Sequence, residues 1–207
     1  MFRSIIFIVC ALFSPNIIAV YCGIMPYSYD NQGEAIVLLS KDSSRKGYDF
    51  FGGSLEKKES IRHAAAREFI EESVGLYTKL YGKTFKSATK KLAKCLYRKP
   101  FFHLPKQKNH PAHYIYPLQV SYIPPQEFKN AIINPKLPHC FKEKKDFVWV
   151  YVTDLILTLK SERKVDLQVQ RINNDNCGNK SNIMLDNGII KTLRQGGGIK
   201  FIESIER

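Results

Sequence analysis

The sequence predicts one globular domain of the α/β or α+β class. Its 207 residues suffice for one ordinary domain. Because 44% of them are hydrophobic and 12% aromatic, a sizeable core can be buried and a disordered chain is excluded. Apolar, β-prone segments alternate with helical patterns, one of them strongly acidic. No apolar run reaches the roughly 18–20 residues that a membrane-spanning helix requires.

Residues 1–19 predict a secretory signal peptide. Arg3 precedes the nine-residue apolar run 5–13, helix breakers follow at 14–16, and a small residue, Ala19, lies at the expected cleavage point. Removal of this leader would make the protein secreted or periplasmic. The alternative is a cytoplasmic protein in which these residues form an extra strand or helix packed on the domain.

The first strands come directly after this leader. Two β-prone segments, 20–28 and 34–39, are separated by the turn-forming residues 29–33 and predict a hairpin. A short third strand at 47–51 runs into the glycines 52–53. This glycine pair lets the backbone turn tightly and approach a ligand closely.

A helix is predicted over residues 60–73. Ser60 is a good N-cap, the alanines at 64–66 are strong helix formers, and Gly75 ends the helix. A second helix is predicted near 86–97.

The second half of the chain predicts two more strands, at 114–123 and 147–152, after a loop at 99–112 rich in proline and lysine. Pro117 indicates a sheet edge or a bulge, because proline donates no ladder hydrogen bond. The remaining elements are a polar loop and a short helix, at 173–182 and 189–194.

The charge of the chain is strongly positive and unevenly distributed. Lys and Arg number 32 against 19 Asp and Glu, a net charge of +13 that favours anionic partners. Residues 77–126 contain no acidic side chain. Two interpretations stay open, a merely solvated face or a surface that binds a polyanion. The ten cations there are Lys79, Lys83, Lys86, Lys90, Lys91, Lys94, Arg98, Lys99, Lys106 and Lys108.

The cysteines give little support to a zinc site, because none of the five forms a CxxC pair. Loss of Cys10 with the leader would leave four, an even number that is compatible with disulfides, although single buried thiols are the simpler interpretation. Those four are Cys22, Cys95, Cys140 and Cys177.

The predicted helix at 60–73 carries the residues with the clearest chemistry. Glu68, Glu71 and Glu72 are spaced i, i+3 and i+4, so they share one helix face and repel one another. A divalent cation among them would remove this repulsion, and carboxylate oxygens suit Mg²⁺ or Mn²⁺ rather than zinc. The alternative is an exposed acidic face paired with nearby arginines.

The spacing over residues 53–75 resembles the Nudix box, Gly-x5-Glu-x7-Arg-Glu-U-x-Glu-Glu-x-Gly-U, where U is a bulky aliphatic residue. The matching positions are Gly53, Glu59, Arg67, Glu68, Glu71 and Glu72, with Phe69 in the first bulky position. The chain has one extra residue before the final glycine, Gly75. Because the extra residue follows the last carboxylate, we expect the helix to stop later and the spacing of the ligands to be unchanged.

The resemblance implies a Nudix-like α/β/α sandwich with a mixed β-sheet over residues 20–160, with 161–207 as a C-terminal extension packed on it. It also implies a hydrolase that cleaves the pyrophosphate bond of a nucleoside diphosphate linked to another moiety, with Mg²⁺ or Mn²⁺ as cofactor. The alternative is a non-catalytic module of the same fold that binds nucleotides or RNA.

The family's residue roles carry over to the matching positions. Glu68 and Glu72 are the implied principal metal ligands, Glu71 shares metal binding or water activation, and the Gly53 carbonyl is a further ligand. Catalytic roles are implied for Glu71 and Glu72, for Arg67, which would orient the carboxylates, and for Glu59, which would support the box or act as an outer ligand.

The residues outside the box leave the substrate and the general base open. Lys83, Lys86 and Arg98 are candidates for binding an anionic, nucleotide-type substrate, for example a dinucleoside polyphosphate, a nucleotide sugar, ADP-ribose or a capped RNA end. Glu127 and Glu143 are candidate general bases, with solvated surface carboxylates as the alternative. The histidines His103, His110 and His113 lie in or near the basic loop and could contact phosphate.

Overall fold

The computed structural model describes residues 20–44, 46–108, 111–161, 167–170, 180–195 and 197–206. The predicted signal peptide, His110, Cys10, Cys177 and most of the predicted polar loop at 173–182 lie outside the described residues. Within the described part, no helix is long and apolar enough to cross a membrane.

A mixed β-sheet lies at the centre of the molecule. Its seven strands are β1 (Val20–Tyr29), β2 (Ala35–Asp42), β3 (Tyr48–Asp49), β4 (Phe51–Ser54), β5 (Phe102–Leu104), β6 (Ala112–Gln119) and β7 (Lys144–Tyr151). The main order is β3-β2-β1-β6-β5, β4 pairs with β1, and β7 pairs with β2. Only β1 and β6 run parallel among these strands. Two further strands, β8 (Leu167–Gln170) and β9 (Lys180–Ile183), form a separate antiparallel pair.

Helices cover both faces of the sheet. The α-helices in the described ranges are α1 (Ile61–Glu72), α2 (Thr78–Tyr81), α3 (Phe85–Cys95), α4 (Pro125–Ile132), α5 (Val152–Lys160), α6 (Asn187–Arg194) and α7 (Gly198–Glu203). Two 3₁₀ helices span Leu96–Arg98 and His139–Lys142.

The core is divided into two apolar layers, one on each face of the sheet. Ile36 and Leu38 of β2 point into the layer under α1, α3 and α4, whereas Val37 and Leu39 point into the layer under α5, α6 and α7. Because both faces are buried, β2 is apolar without interruption over these residues. The arrangement is the predicted α/β/α sandwich with a mixed sheet. The division of the chain at residue 160 stays a prediction.

Most of the predicted elements near the acidic helix agree with the structure. β1 and β2 form the predicted antiparallel hairpin. The side chain of Ser60 accepts a hydrogen bond from the His63 N–H and caps α1, as predicted. Pro117 lies in the part of β6 that extends beyond its pairing with β5, which ends at Ile115, so its missing N–H costs no ladder bond.

Several boundaries were predicted wrongly. The loop expected at 99–112 contains β5, and the strand expected at 114–123 ends at Gln119 because Pro125 opens α4 at a helix N-terminus. The strand expected at 147–152 ends at Tyr151, and Val152 begins α5. The apolar residues here fit a buried strand and a buried helix equally well, so the sequence did not indicate the change.

The extra residue after the last glutamate does not lengthen the helix, contrary to the expectation. α1 ends at Glu72, and the chain then leaves through two left-handed residues, Val74 (φ 54°) and Gly75 (φ 70°). A β-branched residue rarely adopts this conformation, and its cost is about 1–3 kcal/mol. Val74 is buried, so its packing offsets that strain.

Candidate active site

The two glycines of β4 bring the backbone close to the acidic helix and to β1. A Cβ on Gly53 would lie 2.3 Å from Oε1 of Glu68, and a Cβ on Gly52 would lie 2.7 Å from the Cys22 carbonyl oxygen. Neither glycine has a positive φ. Glycine is needed at both positions because of close approach, and at Gly53 the approaching group is a carboxylate of the box.

Arg67 holds the box together as a hub of charged contacts. Its guanidinium donates to both oxygens of Glu59 at 3.1 Å, to Glu68 Oε1 at 2.8 Å and to Glu71 Oε2 at 3.5 Å. It also donates to the carbonyl of Ser54 at 3.3 Å, which ties the helix to the end of β4. The predicted orienting role of Arg67 therefore has a geometric basis, because bidentate arginine contacts fix the direction of a carboxylate.

Glu59 lies at the loop side of this cluster and is almost fully buried. Burial alone would raise the pKa of its carboxyl group, but hydrogen bonds from Arg67 and from the His63 ring lower the pKa below its ordinary value. The His63 Nδ1 to Glu59 Oε1 distance is 2.9 Å. Glu59 is therefore ionised at neutral pH and has several partners in the protein.

Glu68 and Glu71 lie in partly buried surroundings that contain other carboxyl groups. Burial raises the pKa of both carboxyl groups, Arg67 opposes this, and the charge of Glu143 adds to the increase at both. The negative charge of Glu68 also raises the pKa of Glu71. A bound cation would favour the ionised form of both carboxyl groups.

Glu72 is held by different partners. Only 4% of Glu72 and 3% of Lys144 is exposed, and the Lys144 ammonium lies 2.8 Å from Glu72 Oε1. Its other oxygen, Oε2, accepts the backbone N–H of Gly52 at 2.6 Å. Burial raises the pKa of Glu72 to about 8 although Lys144 lowers it. Glu72 thus joins α1 to both β4 and β7.

The residues present fit a hard divalent cation. Glu68 and Glu71 supply carboxylate oxygens that share one nitrogen of Arg67, with Glu143 nearby, and such oxygens favour Mg²⁺, Mn²⁺ or Ca²⁺ over zinc. Within the described ranges, no three His, Cys, Asp or Glu side chains already form a metal-holding cluster. The ligand set predicted from the sequence, Glu68, Glu71, Glu72 and the Gly53 carbonyl, stays a prediction.

The other predicted residues are distributed over the surface. Lys83 and Lys86 lie before and in the first turn of α3, and Arg98 lies in the 3₁₀ helix after it, all exposed. Among the described residues, none of these three makes a hydrogen bond or an ion pair with the box carboxylates, so their role stays a prediction. Of the two candidate bases, Glu143 lies beside the box, whereas Glu127 lies in the first turn of α4.

Two features of the site were missed by sequence reasoning. Lys144 lies in a run of lysines, and only the alternation of β7 distinguishes it from its exposed neighbour Lys145. Cys22 lies on the face of β1 that is turned toward α1. Burial raises the pKa of its thiol to about 12, and the charges of Glu59 and Glu68 add to this increase. Neither residue belongs to a local motif, so no spacing signal could have found them.

A cavity of about 230 Å³ lies next to the glycine pair, in the layer of the sheet opposite to α1. The rings of Tyr21 and His113 lie 5.0 Å apart along its wall, and a Cβ on Gly52 would lie 2.8 Å from the Tyr21 hydroxyl. Asp49 and Asp186 also line it. The cavity thus combines aromatic and acidic side chains, and the sheet separates it from the acidic helix.

Comparison with known proteins agrees with this geometry. The family model described as the NUDIX domain matches residues 24–168, more than half of the chain. The chain belongs to the Nudix family. This match confirms the resemblance found in the box and the assignment as a Nudix-type pyrophosphohydrolase. The mixed sheet between two layers of helices confirms the predicted fold class. A search of curated proteins found no match.

Solved structures of Nudix proteins are similar to this chain at low identity. A NUDIX hydrolase from Alicyclobacillus acidocaldarius is 14% identical with a TM-score of 0.43, covering 70% of this chain and 84% of that one. A MutT protein from Methanosarcina mazei Go1 is 13% identical with a TM-score of 0.39, covering 90% and 93%. An Ap4A hydrolase from C. elegans is 15% identical with a TM-score of 0.37, covering 67% and 84%.

Proposed function

We propose that this Nudix hydrolase cleaves the pyrophosphate bond of a nucleoside diphosphate linked to another moiety, with Mg²⁺ or Mn²⁺ held by Glu68 and Glu71. The observation that carries the proposal is the convergence of these two glutamates on one nitrogen of Arg67, with Glu68 packed against Gly53. A protein that only bound nucleotides would gain nothing from keeping repelling carboxylates together.

The cation, when bound, makes a coordinated water more acidic and neutralises phosphoryl oxygens. The protein side chains hold the carboxylates in position and remove a proton from the attacking water. Arg67 keeps Glu68 and Glu71 directed toward the same region, and Glu72 and Lys144 fix β4 relative to the helix. This pre-ordering matters because a misplaced ligand loses much of the rate gain.

Glu143 is the general base in this proposal. It is exposed at the start of β7, and its charge acts on both Glu68 and Glu71. An exposed carboxylate next to the box can accept a proton from the attacking water through an Oε atom and release the proton to solvent. Glu127, on α4, has no such relation to the box in the described structure.

Hydrolysis of a nucleotide panel with Mg²⁺ tests the proposal. Glu68→Gln and Glu71→Gln are near-isosteric and should each lower kcat at least about 100-fold, whereas the matched change Glu127→Gln should leave kcat unchanged. Release of a nucleoside monophosphate identifies the bond that is cleaved. Full activity of Glu68→Gln would contradict the cation site, and binding without turnover by the wild type would support the non-catalytic alternative.

We also propose export of the protein after removal of residues 1–19. The proposal is supported by the leader pattern of residues 1–19, with one cation, an apolar run, helix breakers and Ala19. Mass spectrometry of the mature N-terminus, after expression in a secreting host, tests it. A chain that still begins at Met1 would contradict the proposal.

A further inference from the structure

The acid-free part of the chain forms a strongly basic surface. All ten of its Lys and Arg side chains between residues 79 and 108 are exposed, and none makes an ion pair with a described residue. On α3, Lys86, Lys90 and Lys94 follow one another at intervals of four residues, so like charges are neighbours on one face. Each such pair weakens the helix, so stability does not explain the pattern.

α3 folds for reasons that are independent of these lysines. The buried residues Ala88, Thr89 and Leu92 fix the opposite side of the helix, and a capping box between Thr84 and Ser87 satisfies its first N–H groups. The lysines are therefore not needed for the folding of α3. A partner that binds this face carries negative charge.

Exposed aromatic rings adjoin the lysines. Tyr97 and Phe101 follow α3 directly and are 67% and 47% exposed, unusual values for large rings. The His103 ring stacks on Tyr114 at 4.4 Å, and the Phe101 ring lies 5.8 Å from Tyr114. The Phe101, His103 and Tyr114 rings form a short row along β5 and β6, and Tyr97 precedes this row in the chain.

Tyr97 is held in place from the acidic helix. The guanidinium of Arg62 lies 4.4 Å from the centre of the Tyr97 ring, and its Nη1 donates to the Tyr97 carbonyl at 3.5 Å. Arg62 thereby fixes Tyr97 with one ring face against α1 and the rest toward solvent. A pre-ordered ring loses little entropy when a flat ligand stacks on it.

We propose that this basic-aromatic surface binds single-stranded nucleic acid. The surface comprises Lys86, Lys90, Lys91, Lys94, Tyr97, Arg98, Phe101 and His103. Lysines along α3 contact the phosphates of the strand, and unpaired bases stack on the aromatic row, the combination that recognises single strands without reading sequence. A duplex fits poorly, because its bases are already stacked and cannot reach the rings.

The surface adjoins the candidate active site and is separate from it. Arg62 lies near the start of α1, whereas Glu68, Glu71 and Glu72 lie in its last two turns. Binding of a strand therefore needs neither the cation nor the carboxylates. The inference does not rest on the proposed hydrolysis, and Glu68→Gln should bind nucleic acid as the wild type does.

Fluorescence anisotropy with a labelled 12-nucleotide U strand, the matching dT strand and a 12-base-pair duplex tests the inference between 50 and 200 mM salt. Vesicles containing phosphatidylserine form a further arm. We expect both single strands to bind more tightly than the duplex and than the vesicles. Tighter binding to the vesicles would identify an acidic membrane as the partner and overturn the proposal.

Two variants separate charge from stacking. The triple variant Lys90→Gln/Lys91→Gln/Lys94→Gln should lower the slope of log affinity against log salt by about 2, since each phosphate contact contributes about 0.7 for single strands. Tyr97→Ala/Phe101→Ala should weaken binding about 30-fold with an unchanged salt slope. Thermal unfolding of both variants confirms that they are folded.

A matched control removes the same charge elsewhere. Lys136→Gln/Lys145→Gln/Lys200→Gln should keep the wild-type salt slope, because these lysines lie away from α3. Equal losses in the two triple variants would mean that only net charge attracts the strand. An unaffected aromatic double variant would mean that the rings do not stack on bases. Either result would overturn the proposal.

Discussion

Replacement of Gly53 by alanine is expected to lower kcat by about 100-fold while the fold is preserved. The added Cβ would lie 2.3 Å from Oε1 and 2.5 Å from Cδ of Glu68, where ordinary contact begins at 3.4 Å. The carboxylate must therefore move by about 1 Å, and a displacement of this size at a reacting centre costs on the order of 100-fold. Because a side-chain end can move, the free energy of unfolding should change little.

Gly52→Ala is the matched change with the opposite outcome. Its Cβ would lie 2.7 Å from the Cys22 carbonyl oxygen and 2.7 Å from the Gly23 Cα, both of which are backbone atoms of β1. Relief requires β4 to separate from β1, and overpacking of this kind costs about 1–3 kcal/mol. At about 2–4 °C per kcal/mol for a chain of this size, Tm should fall by about 2–12 °C.

Thermal unfolding followed by circular dichroism and steady-state hydrolysis of a cleaved nucleotide measure the two effects. We expect an active-site defect in Gly53→Ala and a stability defect in Gly52→Ala. A wild-type kcat in Gly53→Ala would refute the position of Glu68. Equal losses of Tm in the two variants would refute the distinction between a carboxylate contact and a backbone contact.

Three further results are expected. Lys144→Met should lower the free energy of unfolding by about 1–3 kcal/mol because the buried carboxyl group of Glu72 loses its hydrogen-bond partner. Lys145→Met, on the exposed side of β7, should change the free energy of unfolding by less than about 0.5 kcal/mol. Urea titrations that gave the same change for both variants would contradict the pairing of Lys144 with Glu72. At pH 8, iodoacetamide should modify exposed Cys95 and spare Cys22. The buried thiol of Cys22 has a pKa of about 12 and forms almost no thiolate. Rapid labelling of Cys22 in peptide mass spectrometry would show that β1 opens readily. EDTA should abolish hydrolysis and added Mg²⁺ should restore it, whereas undiminished turnover in EDTA would exclude the proposed cation.

The acidic helix and the glycines before it were predictable because their signals are local. The spacing of Glu68, Glu71 and Glu72 places them on one face of any helix, and Ser60, a typical N-cap residue, indicates where that helix starts. The apolar segment from Val152 was less informative, because a short apolar run fits a buried strand and a buried helix equally well.

The sequence by itself determined the family, the acidic side chains of the site and the unbalanced positive charge, since each depends on residue type and spacing within a short segment. Only the tertiary structure decided which partner each glutamate has. Lys144 reaches Glu72 because β7 and β4 meet at the end of α1, and Tyr97 is held by Arg62 because α3 packs on α1. The two members of each pair come from distant parts of the chain. Burial distinguishes Lys144, which pairs with Glu72, from its neighbour Lys145, which is exposed to solvent.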